Sequence, residues 1–225
     1  MAERALIISD LHLGLSSSQP GKVLSLLESL KFDLLVVDGD LYNGNTDAFT
    51  PACWRLIDRL RAVHHSKDRS VVLVRGNHDP SLMTLTGQLT GIPVYDWYAW
   101  ECAGYAAFAI HGHQFDACNR HPSVIVSFII WAFTKALAKG WVSYNAERIF
   151  DKYNAEWSRD SQKVRDGTIG LAIEHQRVAA FAGHTHEALQ NVLKGVQYVN
   201  TGCLLADTRS SYGWIDKEGP KLVYC

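Results

Sequence analysis

Five short polar clusters carry side chains able to hold metal ions. They are Asp10-Leu11-His12, Gly39-Asp40-Leu41-Tyr42-Asn43, Gly76-Asn77-His78-Asp79, His111-Gly112-His113 and Gly183-His184-Thr185-His186. Asp, Asn and His supply the oxygen and imidazole donors that divalent transition metals take. One such cluster carries little weight, but five in this order point to a pair of ions. Two ions about 3.5–4 Å apart can clamp the attacking and departing oxygens of a phosphoryl transfer. That chemistry needs a bridging carboxylate, neutral imidazoles and a water between the ions. Asp40 is the expected bridge, because Gly39 keeps side-chain bulk away from it. Asp10 and His12 are spaced so that an extended segment would point both one way, and His184 and His186 repeat the spacing. Asn77 adds a carbonyl oxygen without charge, and His111 completes the set. His78, beside Asn77, is the expected catalytic imidazole, able to stabilise developing charge or to protonate a leaving alkoxide. Asp79 is expected to orient it.

Each cluster follows an apolar run, and a strand there would anchor the backbone and project the ligand from its carboxyl end. Ala5–Ser9, Leu34–Val37 and Val71–Val74 have the short apolar character of buried strands. Between them, Gly21–Leu30 and Ala52–Val63 place apolar residues at helical spacing, the second opened by Thr50-Pro51. This alternation implies βαβ crossovers and a largely parallel sheet. A short helix is expected from Pro80 to about Leu89. Val94–Glu101 and Tyr105–Ile110 read as paired strands turning at Ala103-Gly104. From 114 to 177 the pattern becomes helical, which reads as an insertion within a single domain spanning 1–225, with helices at Ser123–Lys139, Ala146–Arg159 and Gln162–Gln176. Val178–Ala182 returns to the strand pattern, and Gln197–Val199, Gly213–Asp216 and Lys221–Tyr224 read as closing strands.

With 47% hydrophobic and 20% charged residues, the chain has the balance of a globular protein. A net charge of −1 argues against nonspecific nucleic-acid binding, which draws on a basic excess. Cys53, Cys102, Cys118, Cys203 and Cys225 form no Cys-x-x-Cys pair, which suits reduced thiols in a cytoplasmic protein. The opening residues run straight into the first strand, so no signal peptide is expected. Val124–Phe133 is apolar but only ten residues long, whereas a spanning helix needs roughly 20. His64, His65, His121 and His175 read as hydrogen-bonded structural residues, and Cys203 as a small buried one. His113 stays open between supporting the metal ligands, touching substrate and a structural role. Arg120, Arg148, Lys152, Arg159, Lys163 and Arg165 read as solvated faces, or as grips for a diphosphate or lipid surface.

Asp10-x-His12, Gly39-Asp40, Gly76-Asn77-His78-Asp79, His111 and Gly183-His184-x-His186 together resemble the signature of the calcineurin-like metallophosphoesterases. The resemblance implies a four-layered α/β/β/α sandwich and two divalent ions, manganese above all, with iron, zinc, nickel or cobalt as alternatives. It implies that Asp10, His12, Asp40 and His186 hold one ion and Asp40, Asn77, His111 and His184 the other. His78 would be the catalytic histidine, and a metal-bridging hydroxide the nucleophile. Within the superfamily the chain is most similar to the UDP-2,3-diacylglucosamine pyrophosphatase-like branch. That similarity rests on His111-Gly112-His113-Gln114-Phe115-Asp116, the long insertion and Tyr198-Val199-Asn200-Thr201-Gly202. It implies a lipid-linked or nucleotide-sugar diphosphate substrate and peripheral contact with the inner membrane through the insertion. The apolar insertion helix would cover acyl chains, or else pack the core or a dimer. His78 stands where that branch has Arg, and a histidine there is more usual in the general phosphodiesterases and phosphatases, which is the alternative activity. A non-catalytic scaffold is a third reading, one in which ligands are usually lost.

Overall fold

The computed structural model describes residues 2–43, 48–116, 146–206 and 208–225. The expected helix Ser123–Lys139, its apolar run Val124–Phe133, Cys118, Arg120 and His121 lie outside the described residues, as do the side chains of Arg148, Lys152 and Arg159. Two sheets stack face to face with helices on both outer sides. The first sheet contains β1 (Ala5–Ile8), β2 (Leu34–Asp38), β3 (Ser70–Val74) and β4 (Val94–Tyr95), all parallel. On the far side of β1, β10 (Ser211–Asp216) and β11 (Gly219–Tyr224) extend it antiparallel. The second sheet runs β5-β6-β7-β9-β8, where β5 is Tyr98–Cys102, β6 Tyr105–Ala109, β7 Ala179–Ala182, β8 Leu189–Leu193 and β9 Val196–Asn200. In it β6, β7 and β9 are parallel neighbours.

Strand alternation divides the apolar residues among three cores. Leu6, Ile8, Leu35, Val37, Val71 and Leu73 face outward onto helices α1 (Pro20–Ser29) and α2 (Pro51–His64), which contribute Leu27, Leu56 and Leu60. Ile7, Val36, Val74, Ala107, Ala109 and Phe181 point inward and fill the space between the sheets. On the far face, Phe108, Ile110, Ala180 and Tyr198 meet Val164, Ile169 and Ala172 of α4 (Ala146–Glu174). The central strands are therefore apolar on both faces, which is why they read as unbroken apolar runs.

The structure departs from the sequence reading in three places. Val94–Glu101 is two strands: β4 pairs with β3 in the first sheet, and β5 pairs with β6 in the second. The chain crosses between the sheets at Asp96-Trp97, a switch set by distant pairing partners. The two helices expected after 146 are one helix of 29 residues. Its polar Asp160-Ser161 step does not end it, because the following turns bury Val164, Thr168 and Ile169 against the second sheet. Strand β8, half exposed with Val192 outward, has too little apolar character to be read from sequence. The first sheet is largely parallel as expected, with β10 and β11 closing it antiparallel beyond β1. Helix α3 (Pro80–Thr90) ends at Gly91, which takes the left-handed C-cap conformation at φ 76°.

Among the described residues no helix is long and apolar enough to cross a membrane. Phe181 lies fully buried between the sheets, tilted against Trp100 with ring centroids 5.9 Å apart. Phe181→Ala should destabilise the fold by about 3–5 kcal/mol, measured as the shift in urea unfolding free energy.

Candidate metal centre

The sequence clusters meet at one edge of the sandwich, where the carboxyl ends of β1, β2, β3, β6 and β7 converge. Asp10 and His12 follow β1, Asp40 follows β2, Asn77 and His78 follow β3, His111 follows β6, and His184 and His186 follow β7. The ligand atoms of Asp10, His12 and His186 lie within 4.8 Å of one another. Those of Asp40, His111 and His184 form a second group within the same limit, and His12, Asp40 and His78 a third. Asp40 and His12 thus join neighbouring groups. Six expected ligands and His78 come together, and Asn77 sits in the loop that carries His78.

The separations suit a shared cation. Two ligand atoms about 2.1 Å from one ion, at right angles, lie about 3.0 Å apart. His12 Nε2 and His186 Nε2 are 3.1 Å apart, and His186 Nε2 is 3.1 Å from Asp10 Oδ1. Asp40 Oδ2 is 3.3 Å from His111 Nε2 and 3.7 Å from His12 Nε2, so one oxygen faces both sides. Asn77 Oδ1 is buried without a hydrogen-bond partner, an unmet acceptor that an ion would satisfy. The donor set therefore fits a pair of divalent ions.

The backbone reaches this geometry differently from the extended segments expected. Asp10, His12, Asp40, His184 and His186 all have positive φ, at 53°, 44°, 51°, 66° and 54°. Left-handed residues, rather than strand alternation, turn these side chains inward. Non-glycine residues pay about 1 kcal/mol or more each for such strain, and it gathers at functional sites. Three glycines among the described residues make room, Gly183 being the one against Asp10 Oδ2. A Cβ on Gly39 would strike the His111 ring, and one on Gly76 would strike Asp40 Oδ1 and its backbone nitrogen.

Each carboxylate divides its oxygens between backbone and site. Asp10 Oδ2 accepts from His184 N at 3.0 Å, tying the first loop to the last and leaving Oδ1 toward the imidazoles. Asp40 Oδ1 accepts from His78 N at 2.9 Å, leaving Oδ2 toward His111. Asp79 behaves otherwise than expected. Its two oxygens accept from Tyr42 N at 2.9 Å and Gly76 N at 3.0 Å, so it fixes the loops bearing Asp40 and Asn77, not the His78 ring. The Tyr198–Gly202 segment has a similar supporting role. Asn200 Nδ2 donates to Gly183 O at 2.9 Å and Thr185 Oγ1 at 3.0 Å, and Ser9 Oγ is 2.6 Å from Thr201 Oγ1.

Electrostatics follow from burial against proximity. Burial alone would raise the Asp10 and Asp40 pKa values, but His111 and the hydrogen bonds each carboxylate receives outweigh it and hold both below their ordinary range. Burial would lower His111, yet Asp40 and Asp10 push it up to about 10. His186 is also raised, with the Asp10 contact overcoming burial. Retained protons here do the neutralising that a cation would do. His78 and His113 are lowered by burial, His113 to about 4 with His111 and His184 adding to it. His113 lies 5.6 Å from the His111 ring, a neutral imidazole bordering the site.

Two carboxylates near the expected ligands have no role in the sequence reading, although Asp116 closes the His111–Asp116 motif. Asp38 is fully buried with no hydrogen bond to either oxygen, while its carbonyl lies 2.8 Å from His111 Nδ1. Only the odd polar residue ending an apolar run hinted at it. Asp116 Oδ2 is 3.0 Å from His184 Nε2. Of the other histidines among the described residues, His64 Nδ1 accepts from Val71 N at 3.2 Å, His65 Nε2 lies 2.8 Å from Thr90 O, and the His175 ring stacks on Phe108 at 5.6 Å. Cys203 is buried, and burial raises its thiol pKa.

A family profile described as calcineurin-like phosphoesterase matches residues 3–188. No curated protein matches the chain. Among solved structures, the Escherichia coli phosphoesterase Yfce is 20% identical, with 95% of this chain and 88% of that one covered at a TM-score of 0.53. An archaeal phosphodiesterase is 13% identical, with 99% of each chain covered and the same TM-score of 0.53. Zinc-complexed Vps29 from Entamoeba histolytica is 14% identical, covering 99% and 98% at a TM-score of 0.51. At these identities the likeness is one of fold.

Burial pushes Asp38 up to about 8, so below that pH it is neutral in the folded chain. An unfolded Asp ionises near pH 3.9. Its contribution to stability is therefore complete below about pH 4 and is lost as pH rises to about 8. In chelator-treated protein, the stability of Asp38→Asn relative to wild type should rise steadily from pH 5 to pH 9, with the variant the more stable at pH 9. Urea midpoints at both pH values check this.

Proposed function

The chain belongs to the calcineurin-like phosphoesterase family, and on that premise we propose that two divalent ions, manganese foremost, are held at this edge to hydrolyse a phosphodiester or diphosphate bond. It is a metal-dependent phosphoester hydrolase by family. The observation that carries the two-ion reading is Asp40 Oδ2, facing His111 at 3.3 Å and His12 at 3.7 Å. Asp10, His12, Asp40 and His186 would hold one ion, and Asp40, Asn77, His111 and His184 the other. When bound, the ions supply an acidified water as nucleophile and neutralise charge on the phosphoryl oxygens.

The chain's own residues do the rest. Asp10 and Asp40 keep their carboxyls ionised at neutral pH, ready for cations. His78 is exposed beside His12, with ring centroids 5.1 Å apart, so it can meet a substrate from the open side. Its lowered pKa leaves a neutral ring at pH 7, with an N–H to donate to the phosphoryl group or the departing oxygen. Asp79 acts on the loop and not on the reacting atoms.

For substrate, a lipid-linked or nucleotide-sugar diphosphate is our reading. It is supported by the motif resemblance and by the apolar run Val124–Phe133, which suits acyl chains and a peripheral contact of a cytoplasmic protein with the membrane surface. The position of His78 favours a second reading, a general small-molecule or nucleotide phosphodiesterase. Hydrolysis of bis-p-nitrophenyl phosphate and of a lipid-bearing UDP sugar, with manganese and with chelator, separates them. Manganese-dependent turnover of the UDP sugar is expected, and turnover of the simple diester alone would select the second reading. His78→Ala should lower the rate on substrates with poor leaving groups by roughly 10²–10⁴ while metal content, read by elemental analysis, stays at the wild-type value. An undiminished rate would remove His78 from this role.

A further inference from the structure

We propose that Asp116 is a positioning residue for the second ion: its carboxylate fixes the His184 ring so that Nδ1 is the atom presented to the metal. The inference rests on the two-ion reading above. Metal-bound histidines characteristically donate their other ring N–H to a carboxylate or backbone carbonyl, which fixes tautomer and ring orientation and strengthens the ligand. Both imidazoles on the Asp40–His111–His184 side have that partner. His111 Nδ1 is held by Asp38 O at 2.8 Å, and His184 Nε2 by Asp116 Oδ2 at 3.0 Å. The other side lacks the device at His12, whose Nδ1 is buried with no hydrogen-bond partner. The residues that would hold the two ions are thus braced unequally.

Packing of α4 decides where Asp116 stands. After β6 the chain makes a single 3-10 turn, His113–Phe115, closed by Phe115 N donating to Gly112 O at 3.0 Å. Gly112 has φ 104° and lies under Val164, so a side chain there would be both strained and blocked. Phe115 lies against Gly167 of α4, where a Cβ would strike its ring. Helix and turn therefore interlock at two glycines, and Asp116 follows directly, its side chain 14% exposed. This gives the Gln114-Phe115-Asp116 part of the motif a physical task.

Manganese binding to the full-length protein, followed by calorimetric titration, tests the assignment. Wild type should bind two ions. Asp116→Ala should weaken the second by roughly 10–100-fold and leave the first unchanged, and Asp116→Asn, which keeps an acceptor oxygen, should recover most of the loss. Gly167→Ala, which gains intrinsic helix propensity, should weaken the second ion in the same direction by displacing Phe115. It should add nothing further in the Asp116→Ala background. Thermal unfolding in chelator confirms that the variants are folded. Two ions bound by Asp116→Ala at wild-type affinity, or both weakened equally, would overturn the assignment, as would an Asn variant no better than Ala. A wild type that takes up no manganese would overturn the two-ion reading itself.

Discussion

The structure depends on one electrostatic constraint: buried carboxylates are crowded against imidazoles, so their charges must be balanced locally. Asp10 and Asp40 are 0% and 2% exposed. An unpaired buried charge costs several kcal/mol, so such a cluster persists only with cations among it. Protons on His111 and His186 can serve, and divalent ions serve better because one ion meets several donors at once. The left-handed ligand residues and the missing Cβ atoms at Gly39 and Gly76 are costs and concessions to that crowding.

The two sheets make the crowding possible. β1, β2 and β3 run parallel in one sheet and β6, β7 and β9 in the other, so each sheet sends its loops out at its carboxyl edge. Face-to-face packing through Ile7, Val36, Val74, Ala109 and Phe181 brings those edges together. Small residues on β6 and β7 let the sheets approach. Polar ties then lock the loops: Asp10 to His184 N and Ser9 to Thr201 across the gap, and Asn200 to Gly183 O within the second sheet. Core packing and site geometry are consequently one problem.

The supporting carboxylates show how positions one layer out matter. Asp79 holds the Tyr42 and Gly76 backbones, which sets the angle at which Asp40 and Asn77 enter. Asp116 reaches His184 from a turn held against α4, so the outermost helix bears on the innermost ligands.

Much of this was legible in the residues alone. Apolar runs and helical spacing are local properties, and they located β1, β2, β3, α1, α2 and the strand before His184 to within a residue or two. Asp10, His12, Asp40, His111, His184 and His186, which meet at one edge, also stood out by residue type and order. What tertiary structure decided were matters of partner and direction. The split of Val94–Glu101 between two sheets, the unbroken run of α4, and β8 at an edge depend on what each segment packs against, which no local pattern records. The sequence suggested extended ligand segments, whereas Asp10, His12, Asp40, His184 and His186 stand at left-handed turns. It offered Asp79 as a partner for His78, but two backbone N–H groups claimed both oxygens first. Asp38 is an ordinary residue in sequence and Asp116 only the end of a motif; their places, one behind His111 and the other against His184, come from folding.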